Sequence, residues 1–178
     1  TKVTKDVIEN AKKLQVVGRA GIGVDNIDLD AATSAGIAVV NAPTGNTVAA
    51  AEHTMALMLA LSRNVPTAHQ SLKSGEWKRS AFMGVEVRNK TLGICGLGRV
   101  GSEVAQRAQS FGMRLVGFDP FVSPDYARQK GIDLLSLEQL LAESDFITLH
   151  TPLTEGTRHM IRAEQVALLK PGARLINV

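Results

Sequence analysis

Hydrophobic residues along the chain follow two spacings, which together predict an α/β fold. Short apolar runs typical of buried strands lie at residues 14–18, 37–40, 91–95, 114–118, 133–135, 145–149 and 173–178. Between them, apolar residues recur at helical spacing, as at Val100, Val104, Ala108 and Phe111. Strands that alternate with helices at these lengths predict a parallel, doubly wound sheet. From residue 91 onward we expect five strands, one fewer than a complete doubly wound unit contains.

Polar residues with capping ability mark where the helices begin. Ser123 is followed by Pro124, and Ser136 and Gln139 have the spacing of a capping box. The remaining predicted caps are Thr4, Asp28 and Thr47. The predicted helices cover residues 4–12, 28–36, 47–62, 66–75, 124–130, 136–143 and 163–169, and another begins near Arg99.

A break in both periodicities divides the chain into two parts. Pro43 and Gly45 interrupt residues 41–46, which predicts one unit at residues 1–41 and a second at residues 42–178. The long helix that follows is apolar on every side between Met55 and Leu61, so we expect it to be covered on every side. Cover from the rest of one domain and cover from a second subunit both satisfy this pattern, and the subunit interface is favoured.

Composition excludes several classes of function. Hydrophobic residues make up 44% and charged residues 21%, as in an ordinary globular protein. The net charge of +3 is spread among acidic residues, so no basic patch indicates nucleic acid or an anionic membrane as a partner. No apolar run is long enough to span a membrane, and no His/Cys cluster has metal-ligand spacing. The single cysteine, Cys95, cannot form an internal disulfide, so we expect an inert core residue in a reducing cytoplasm.

The most informative motif is G-x-G-x-x-G at residues 96–101, between a predicted strand and a predicted helix. In a dinucleotide-binding turn, Gly96 permits the tight turn and Gly98 leaves room for a pyrophosphate. Gly101 lets the helix pack closely on the strand. Free N–H groups and the positive end of the helix dipole then favour the phosphate charge.

An acidic residue completes this pattern. Asp119 ends the next predicted strand, 18 residues after Gly101, where its carboxylate can accept hydrogen bonds from both ribose hydroxyls of adenosine. Because a carboxylate repels a 2′-phosphate, NAD is favoured over NADP. The alternative is a Gly-rich turn in another kind of α/β protein, with Asp119 as a turn former before Pro120.

Near the start of the chain, residues 19–23 form a Gly-flanked loop that can act as an anion nest through backbone N–H groups. Arg19 begins it, and its planar guanidinium suits carboxylates and phosphates. An ordinary surface ion pair is the alternative role for Arg19.

Four separated motifs resemble the D-isomer-specific 2-hydroxyacid dehydrogenases, in the order that family has them. They lie at residues 17–26, 43–47, 92–101 and 150–153. The resemblance implies a Rossmann NAD-binding domain that is incomplete at its C-terminal end, preceded by a fragment of a flavodoxin-like substrate domain. It also implies a homodimer or higher homo-oligomer, formed across the helix after Asn46.

The resemblance also assigns roles to residues. It implies that Arg19, Ala20 and Gly21 bind the substrate's carboxylate or phosphate. The residues implied to bind the cofactor are Ile22, Gly96, Gly98, Arg99, Val100, Gly101, Asp119, Thr151 and Val178. Ile22 stands where some relatives carry Thr, so its contact must come from backbone or packing.

The expected reaction is NAD-dependent oxidation of a D-2-hydroxy acid, with 3-phospho-D-glycerate as the expected substrate. Two alternatives stay open: a glyoxylate or hydroxypyruvate reductase of the same family, and a non-catalytic, NAD-binding interaction module like the co-repressors that share the fold.

The family's catalytic Arg, Glu and His would all follow Val178, so no residue of this chain is expected to be catalytic. A first residue that is not Met, together with an end at an apparent strand terminus, predicts a piece of a longer protein that is inactive alone. Of the four histidines, His150 is the one expected to face the cofactor cleft. We interpret it as a satisfied polar residue, because the sequence places no carboxylate to orient it.

Overall fold

A computed structural model describes all residues, 1–178, and arranges them around two parallel sheets. The smaller sheet pairs β1 (Val16–Arg19) with β2 (Ala38–Asn41). Helices α1 (Lys5–Asn10) and α2 (Leu29–Ser34) pack beside it around Ile8, Ala32 and Ile37. This unit has only four buried apolar residues, these three and Ile27, so its core is small.

The larger sheet has five parallel strands in the order β5-β4-β3-β6-β7. These are β3 (Thr91–Cys95), β4 (Arg114–Phe118), β5 (Ile132–Leu134), β6 (Phe146–Leu149) and β7 (Arg174–Asn177). Helices cover both faces of the sheet, which explains why the central strands read as unbroken apolar runs. The strand order reverses between β3 and β6, as in the doubly wound fold that the sequence predicts.

The helices of this larger unit lie close to their predicted positions. They are α3 (Thr47–Ser62), α4 (Val65–Lys73), α5 (Arg99–Ser110), α6 (Pro124–Gln129), α7 (Leu137–Glu143) and α8 (Ala163–Val166), with a 3₁₀ turn at Arg79–Phe82. The predicted caps at Asp28 and Ser123 accept backbone N–H bonds, and Ser136 and Gln139 form the predicted capping box.

Several predicted helix boundaries are wrong by a few residues; α2 and α4, for example, each end two residues earlier than predicted. Helix α3 begins at Thr47, so Asn46 and not Thr47 occupies the capping position. Helix α1 ends at Asn10 because Ala11 leaves the helical region and its N–H bonds to the carbonyl of Ile8. After Val166 the chain continues in tighter turns, with Leu169 donating to the carbonyl of Val166, so α8 is shorter than predicted.

Helix α3 is covered on one side only. Its buried face, formed by Ala51, Met55 and Met58, packs in the core beneath α5 and the sheet. On the opposite face Leu57 is 39% exposed and Leu61 is 44% exposed. Of the two alternatives for this helix, complete cover by the rest of the same chain is therefore wrong, and cover by a second subunit, the favoured alternative, stays a prediction.

Asp145 connects β3, β6 and β7 at their amino ends, on the side of the sheet opposite the Gly-rich turn. Its Oδ2 accepts a hydrogen bond from the N–H of Thr91 at 2.8 Å, and its Oδ1 lies 3.3 Å from the Nζ of Lys170. Its backbone bonds to Thr91 on one side and Arg174 on the other. Burial alone would raise the pKa of Asp145, but the Thr91 bond and Lys170 hold that pKa below its ordinary value.

We expect Asp145→Asn to lower the free energy of unfolding by about 1–2 kcal/mol at pH 7, because a charge-assisted hydrogen bond is lost. A carboxyl with a lowered folded-state pKa stabilises the protein above its unfolded-state pKa, and the contribution disappears as pH falls through the folded-state pKa. Urea unfolding from pH 7 to pH 3 should therefore show a steeper loss for the native protein than for the variant.

Asp133→Asn is the matched control for this experiment, since Asp133 makes only an exposed ion pair with Arg114. Equal pH dependence of Asp145→Asn and the native protein would contradict the role given to Asp145.

Cys95 ends the central strand and is completely buried. Burial raises the pKa of its thiol to about 12, which keeps it protonated and unreactive, as the sequence predicts. None of the helices has the length and apolar character needed to cross a membrane. No group of three or more His, Cys, Asp or Glu side chains is arranged to hold a metal.

Candidate cofactor site

The site lies at the carboxyl ends of β3 and β6, where the strand order reverses. In open α/β sheets this crevice is where ligands bind. The turn after β3 and the segment after β6 touch: a Cβ built on Gly96 would lie 2.7 Å from the carbonyl oxygen of His150. Gly96 also has a φ of +91°, which glycine adopts without strain. Glycine at position 96 is therefore required by the fold itself.

The other two motif glycines differ in what surrounds them. A Cβ on Gly101 would overlap the carbonyl oxygen of Gly96, so this glycine permits the close approach of α5 to β3. A Cβ on Gly98 would meet no atom within 4 Å, and its φ of −66° is open to any residue. Neither packing nor backbone conformation requires glycine at position 98. The remaining physical reason for a glycine there is clearance for a ligand.

Helix α5 presents unpaired donors beside this clearance. The N–H groups of Val100 and Gly101 have no acceptor within the chain. The guanidinium of Arg99 stands at the same helix end, and its Nη1 donates to the carbonyl oxygen of Pro43 at 2.8 Å. Free N–H groups, the helix dipole and a guanidinium together favour an anion at this point.

Two clefts open on either side of Arg99. We call the first cleft A; it has a volume of about 780 Å³ and lies between the start of α3, the start of α5 and the loop after β4. Its lining residues include Thr44, Thr47, Val48, Leu97, Gly98, Arg99, Ser102, Phe121 and Tyr126. We call the second cleft B; its volume is about 650 Å³. Cleft B is lined by Ile22, Gly23, Asp25, Asn46, Ala50, Arg99, Val100, Leu149, His150, Thr151, Pro152, Asn177 and Val178.

Asp119 stands at the end of β4 beside cleft A. Its Oδ2 accepts a hydrogen bond from the N–H of Leu97 at 2.8 Å, and its Oδ1 accepts one from the N–H of Phe121 at 2.9 Å. These two bonds fix the carboxylate against the Gly-rich turn. Each carboxylate oxygen keeps further acceptor capacity, so the group can still receive hydroxyl donors of a ligand.

His150 and Thr151 bring the end of β6 into cleft B. The Nε2 of His150 is 2.9 Å from the Oγ1 of Thr148, and no carboxylate contacts the ring. Burial lowers the pKa of His150 to about 4, so the imidazole is neutral at pH 7. This agrees with the interpretation of His150 as a satisfied polar residue. Thr151 directs its Oγ1 toward the sulfur of Met160 at 3.5 Å.

The loop of Arg19, Ala20 and Gly21 lies next to cleft B without lining it. The Nε of Arg19 donates to the carbonyl oxygen of Gly23 at 3.1 Å, which folds its guanidinium over the loop. The N–H groups of Ala20 and Ile22 have no acceptor within the chain, whereas the N–H of Gly21 between them donates to the carbonyl oxygen of Arg19 at 2.9 Å. Two of the three N–H groups of the predicted anion nest are therefore free. Ile22 and Gly23, which continue this loop, are the residues through which it reaches the cleft.

The structure thus brings together most of the cofactor residues that the sequence predicts. Ile22, Arg99, Val100, Thr151 and Val178 share cleft B, while Gly98 and Arg99 line cleft A. Sequence reasoning missed the contributions of Asn46, Thr47 and Phe121. The 95% exposure of Phe121 cannot be read from sequence, but its position two residues after Asp119 placed it beside the site.

Comparison with known proteins agrees with this geometry. Residues 55–178 match the family model described as "D-isomer specific 2-hydroxyacid dehydrogenase, NAD binding domain". The chain belongs to the D-isomer-specific 2-hydroxyacid dehydrogenase family. Within this family the matched segment is the NAD-binding domain, and NAD is its cofactor.

Individual members of the D-isomer-specific 2-hydroxyacid dehydrogenase family are similar along nearly the whole chain. D-3-phosphoglycerate dehydrogenase of Methanocaldococcus jannaschii is 54% identical over 178 residues, which are 99% of this chain and 34% of that protein. The Homo sapiens enzyme of the same name is 52% identical over 99% of this chain and 33% of its own length. The chain therefore spans about a third of the length of these relatives.

Solved structures of the family have the same fold. D-lactate dehydrogenase from Aquifex aeolicus, complexed with NAD and lactic acid, gives a TM-score of 0.88 at 36% identity, covering 99% of this chain and 53% of that one. NAD-dependent formate dehydrogenase from Staphylococcus aureus, in complex with NAD, gives 0.88 at 35% identity, also covering 99% and 53%.

The residues present fit a dinucleotide. Clefts A and B each have a volume typical of a ligand site, and both are lined by Arg99, which stands beside the unpaired N–H groups of α5. The open space at Gly98 leaves the backbone accessible to a phosphate. A carboxylate at Asp119 suits the adenosine ribose of NAD and opposes the additional phosphate of NADP.

Proposed function

We propose that this chain is the cofactor-binding portion of an NAD-dependent enzyme that oxidises 3-phospho-D-glycerate to 3-phosphohydroxypyruvate in serine biosynthesis. The observation that carries the proposal is the pair of clefts that share Arg99 at the start of α5, with Asp119 fixed at the end of the neighbouring strand. Identity of 51–54% to proteins named D-3-phosphoglycerate dehydrogenase supports this choice of substrate. A cytoplasmic location is part of the same proposal.

The proposed roles follow the positions of the residues. Gly96, Gly98, Arg99, Val100 and Gly101 receive the pyrophosphate, and Asp119 accepts the hydroxyls of the adenosine ribose. Ile22, Thr151 and Val178 contact the other half of NAD in cleft B. The nest of Arg19, Ala20 and Gly21 binds the anionic end of the acid substrate. NAD, when bound, supplies the hydride acceptor.

Two units are also proposed for the chain. Residues 1–41 form part of the substrate domain and residues 42–178 form the NAD-binding domain. The separate sheets β1–β2 and β3–β7 support this division. The connection between them contains Pro43, whose carbonyl is bonded to Arg99.

Calorimetric titration with NAD and NADP tests the binding proposal on the 178-residue chain, and we expect NAD to bind more tightly. For the whole protein, an assay with 3-phospho-D-glycerate, glycolate and D-glycerate should give the highest kcat/KM on the phosphorylated acid. Oxidation of the unphosphorylated acids alone would overturn the substrate. NAD binding without oxidation of any of them would indicate an NAD-responsive interaction module.

A second substrate class within the family has some structural support. A glyoxylate reductase from Paecilomyes thermophila gives a TM-score of 0.87 at 34% identity over 99% of this chain and 54% of that one. The higher identity to the phosphoglycerate enzymes favours the phosphorylated acid. The three-substrate assay separates these two possibilities.

The chain alone is expected to bind NAD without turning it over. His150 is the histidine of cleft B, and it lacks the carboxylate partner that would raise its pKa into the range of a proton donor at neutral pH. Detectable formation of NADH by residues 1–178 that is lost in His150→Gln would contradict this expectation.

A homodimer is proposed through the uncovered side of α3 and α4. Apart from Val48, which lines cleft A, the exposed apolar side chains on these helices and the following segment are Leu57, Leu61, Val65, Leu72, Trp77 and Met83. Single exposed hydrophobic residues are common, but a group of this size favours a protein interface.

We expect the double substitution Leu57→Glu with Leu61→Glu to convert a dimer into a monomer, because two charges would be buried without partners. Light scattering measures the molar mass. Leu168→Glu is the matched control, since Leu168 is similarly exposed, at 40%, and lies outside this surface. A native chain that remains monomeric at high concentration would refute the proposed interface.

A further inference from the structure

His150 directly follows β6 and is held by a buried partner on that strand. Side chains two residues apart on a strand share a face, and the hydroxyl of Thr148 lies 2.9 Å from the Nε2 of His150. Thr148 is fully buried, with a relative exposure of 0%. Its Oγ1 makes no other hydrogen bond in the chain, so these two groups form an isolated pair.

The direction of this hydrogen bond follows from the burial of Thr148. A buried hydroxyl that donates to nothing leaves an unsatisfied group, which costs free energy. Since the Nε2 of His150 is the one acceptor in reach, the hydroxyl of Thr148 donates to it. A neutral imidazole that accepts at Nε2 carries its proton on Nδ1. The pair therefore selects one tautomer of His150.

The Nδ1–H group of His150 is accessible to solvent. Nδ1 has no hydrogen-bond partner within the chain. It is not a buried atom, however, because the buried side-chain atoms that lack a partner are only Asn26 Oδ1 and Thr47 Oγ1. Solvent therefore reaches Nδ1, and His150 lines cleft B together with Val100 at the start of α5. The charged side chains that line this cleft are Asp25 and Arg99.

We propose that the Nδ1–H of His150 donates a hydrogen bond to a phosphate oxygen of the bound dinucleotide, and that Thr148 is the positioning residue for this contact. The proposal rests on the proposed function and adds a residue to its site. The free N–H groups of Val100 and Gly101 draw the phosphates to this end of the cleft. A neutral donor suits the position, because Arg99 and the positive helix end oppose a second cation.

Amide substitutions test which ring nitrogen matters. The side-chain amide of Asn reaches about the position of Nδ1, and that of Gln reaches about the position of Nε2. We expect His150→Gln to raise the Kd for NAD about tenfold, the value of one hydrogen bond of ordinary strength, and His150→Asn to stay within about threefold of the native value. Equal affinities in both variants and the native chain would overturn the proposal.

Three ligands locate the contact. Calorimetry of His150→Gln should show weaker affinity than in the native chain for NAD and for ADP-ribose, which share the pyrophosphate. Its affinity for adenosine should be unchanged. A loss confined to NAD would place the contact on the nicotinamide and would overturn the assignment to phosphate.

Thr148→Val tests the positioning role. We expect about a fivefold weaker affinity for NAD and a mixed tautomer of His150, because Nε2 loses its donor. Thr54→Val is the matched control: Thr54 is 1% exposed, and its hydroxyl bonds to the carbonyl of Ala50 and not to a histidine. This control should bind NAD like the native chain.

Long-range ¹H–¹⁵N NMR spectra give a readout independent of binding. In the native chain they should show His150 neutral at pH 7, with the proton on Nδ1. A proton on Nε2 would overturn the proposal whatever the variants do. If the native chain fails to bind NAD, the proposed function fails. If the native chain binds NAD and both His150→Gln and Thr148→Val keep native affinity, this inference alone fails.

Discussion

Replacing Gly98 with valine is expected to lower the affinity for NAD by about 100-fold or more, which corresponds to about 2.7 kcal/mol. The cause is steric, since the new side chain would fill the space left for a phosphate. No protein atom lies within 4 Å of a Cβ at this position, so the free energy of unfolding should change by about 1 kcal/mol or less. Calorimetric titration and urea unfolding on the same preparation measure the two effects.

Gly101→Ala is the informative comparison within the same motif. Its Cβ would overlap the carbonyl of Gly96, so we expect a loss of about 3 kcal/mol in unfolding free energy. Gly98→Ala should fall between the native chain and Gly98→Val in affinity. A stable Gly98→Val variant that binds NAD normally would remove Gly98 from the phosphate site.

Asp119→Ala is expected to weaken NAD binding about 100-fold and to reduce the preference for NAD over NADP. Loss of charge-assisted hydrogen bonds to the ribose weakens NAD, whereas NADP gains from the removal of a repelling carboxylate. The substitution also frees the N–H of Leu97, which Asp119 holds in the Gly-rich turn. Fluorescence titration with both cofactors measures the ratio of the two dissociation constants.

Asp125→Ala is the matched control for Asp119→Ala. Asp125 lies on α6, and its exposed carboxylate pairs with Arg128 alone. Native affinities in Asp125→Ala combined with unchanged affinities in Asp119→Ala would exclude Asp119 from the site.

The sequence predicts the order of the strands and helices because buried parallel strands appear as apolar runs between helical segments. It does not fix their ends. The predicted strand at 14–18 is found at Val16–Arg19, and that at 133–135 is found at Ile132–Leu134. A short apolar run carries no information about which of its residues make ladder hydrogen bonds, so shifts of one or two residues are expected.

The Gly-rich turn and Asp119 are predictable because local spacing fixes both, and adjacent strands then bring them together. Contacts between residues that are far apart in the sequence are not predictable in this way. Arg99 bonds to Pro43, 56 residues earlier, and this depends on how α3 and α5 pack. The tautomer of His150 is beyond sequence for another reason: it depends on which side-chain rotamer lets Nε2 reach Thr148.

The position of Cys95 gives the protein a built-in probe of its own stability. It is the single cysteine, and it lies fully buried in the strand at the centre of the larger sheet. A thiol reagent can reach it only when that strand opens, so the labelling rate at a given pH reports the free energy of opening. Adding NAD should slow the labelling by the same factor by which NAD binding lowers the population of the open sheet. The coupling between cofactor and core can therefore be measured without introducing any substitution.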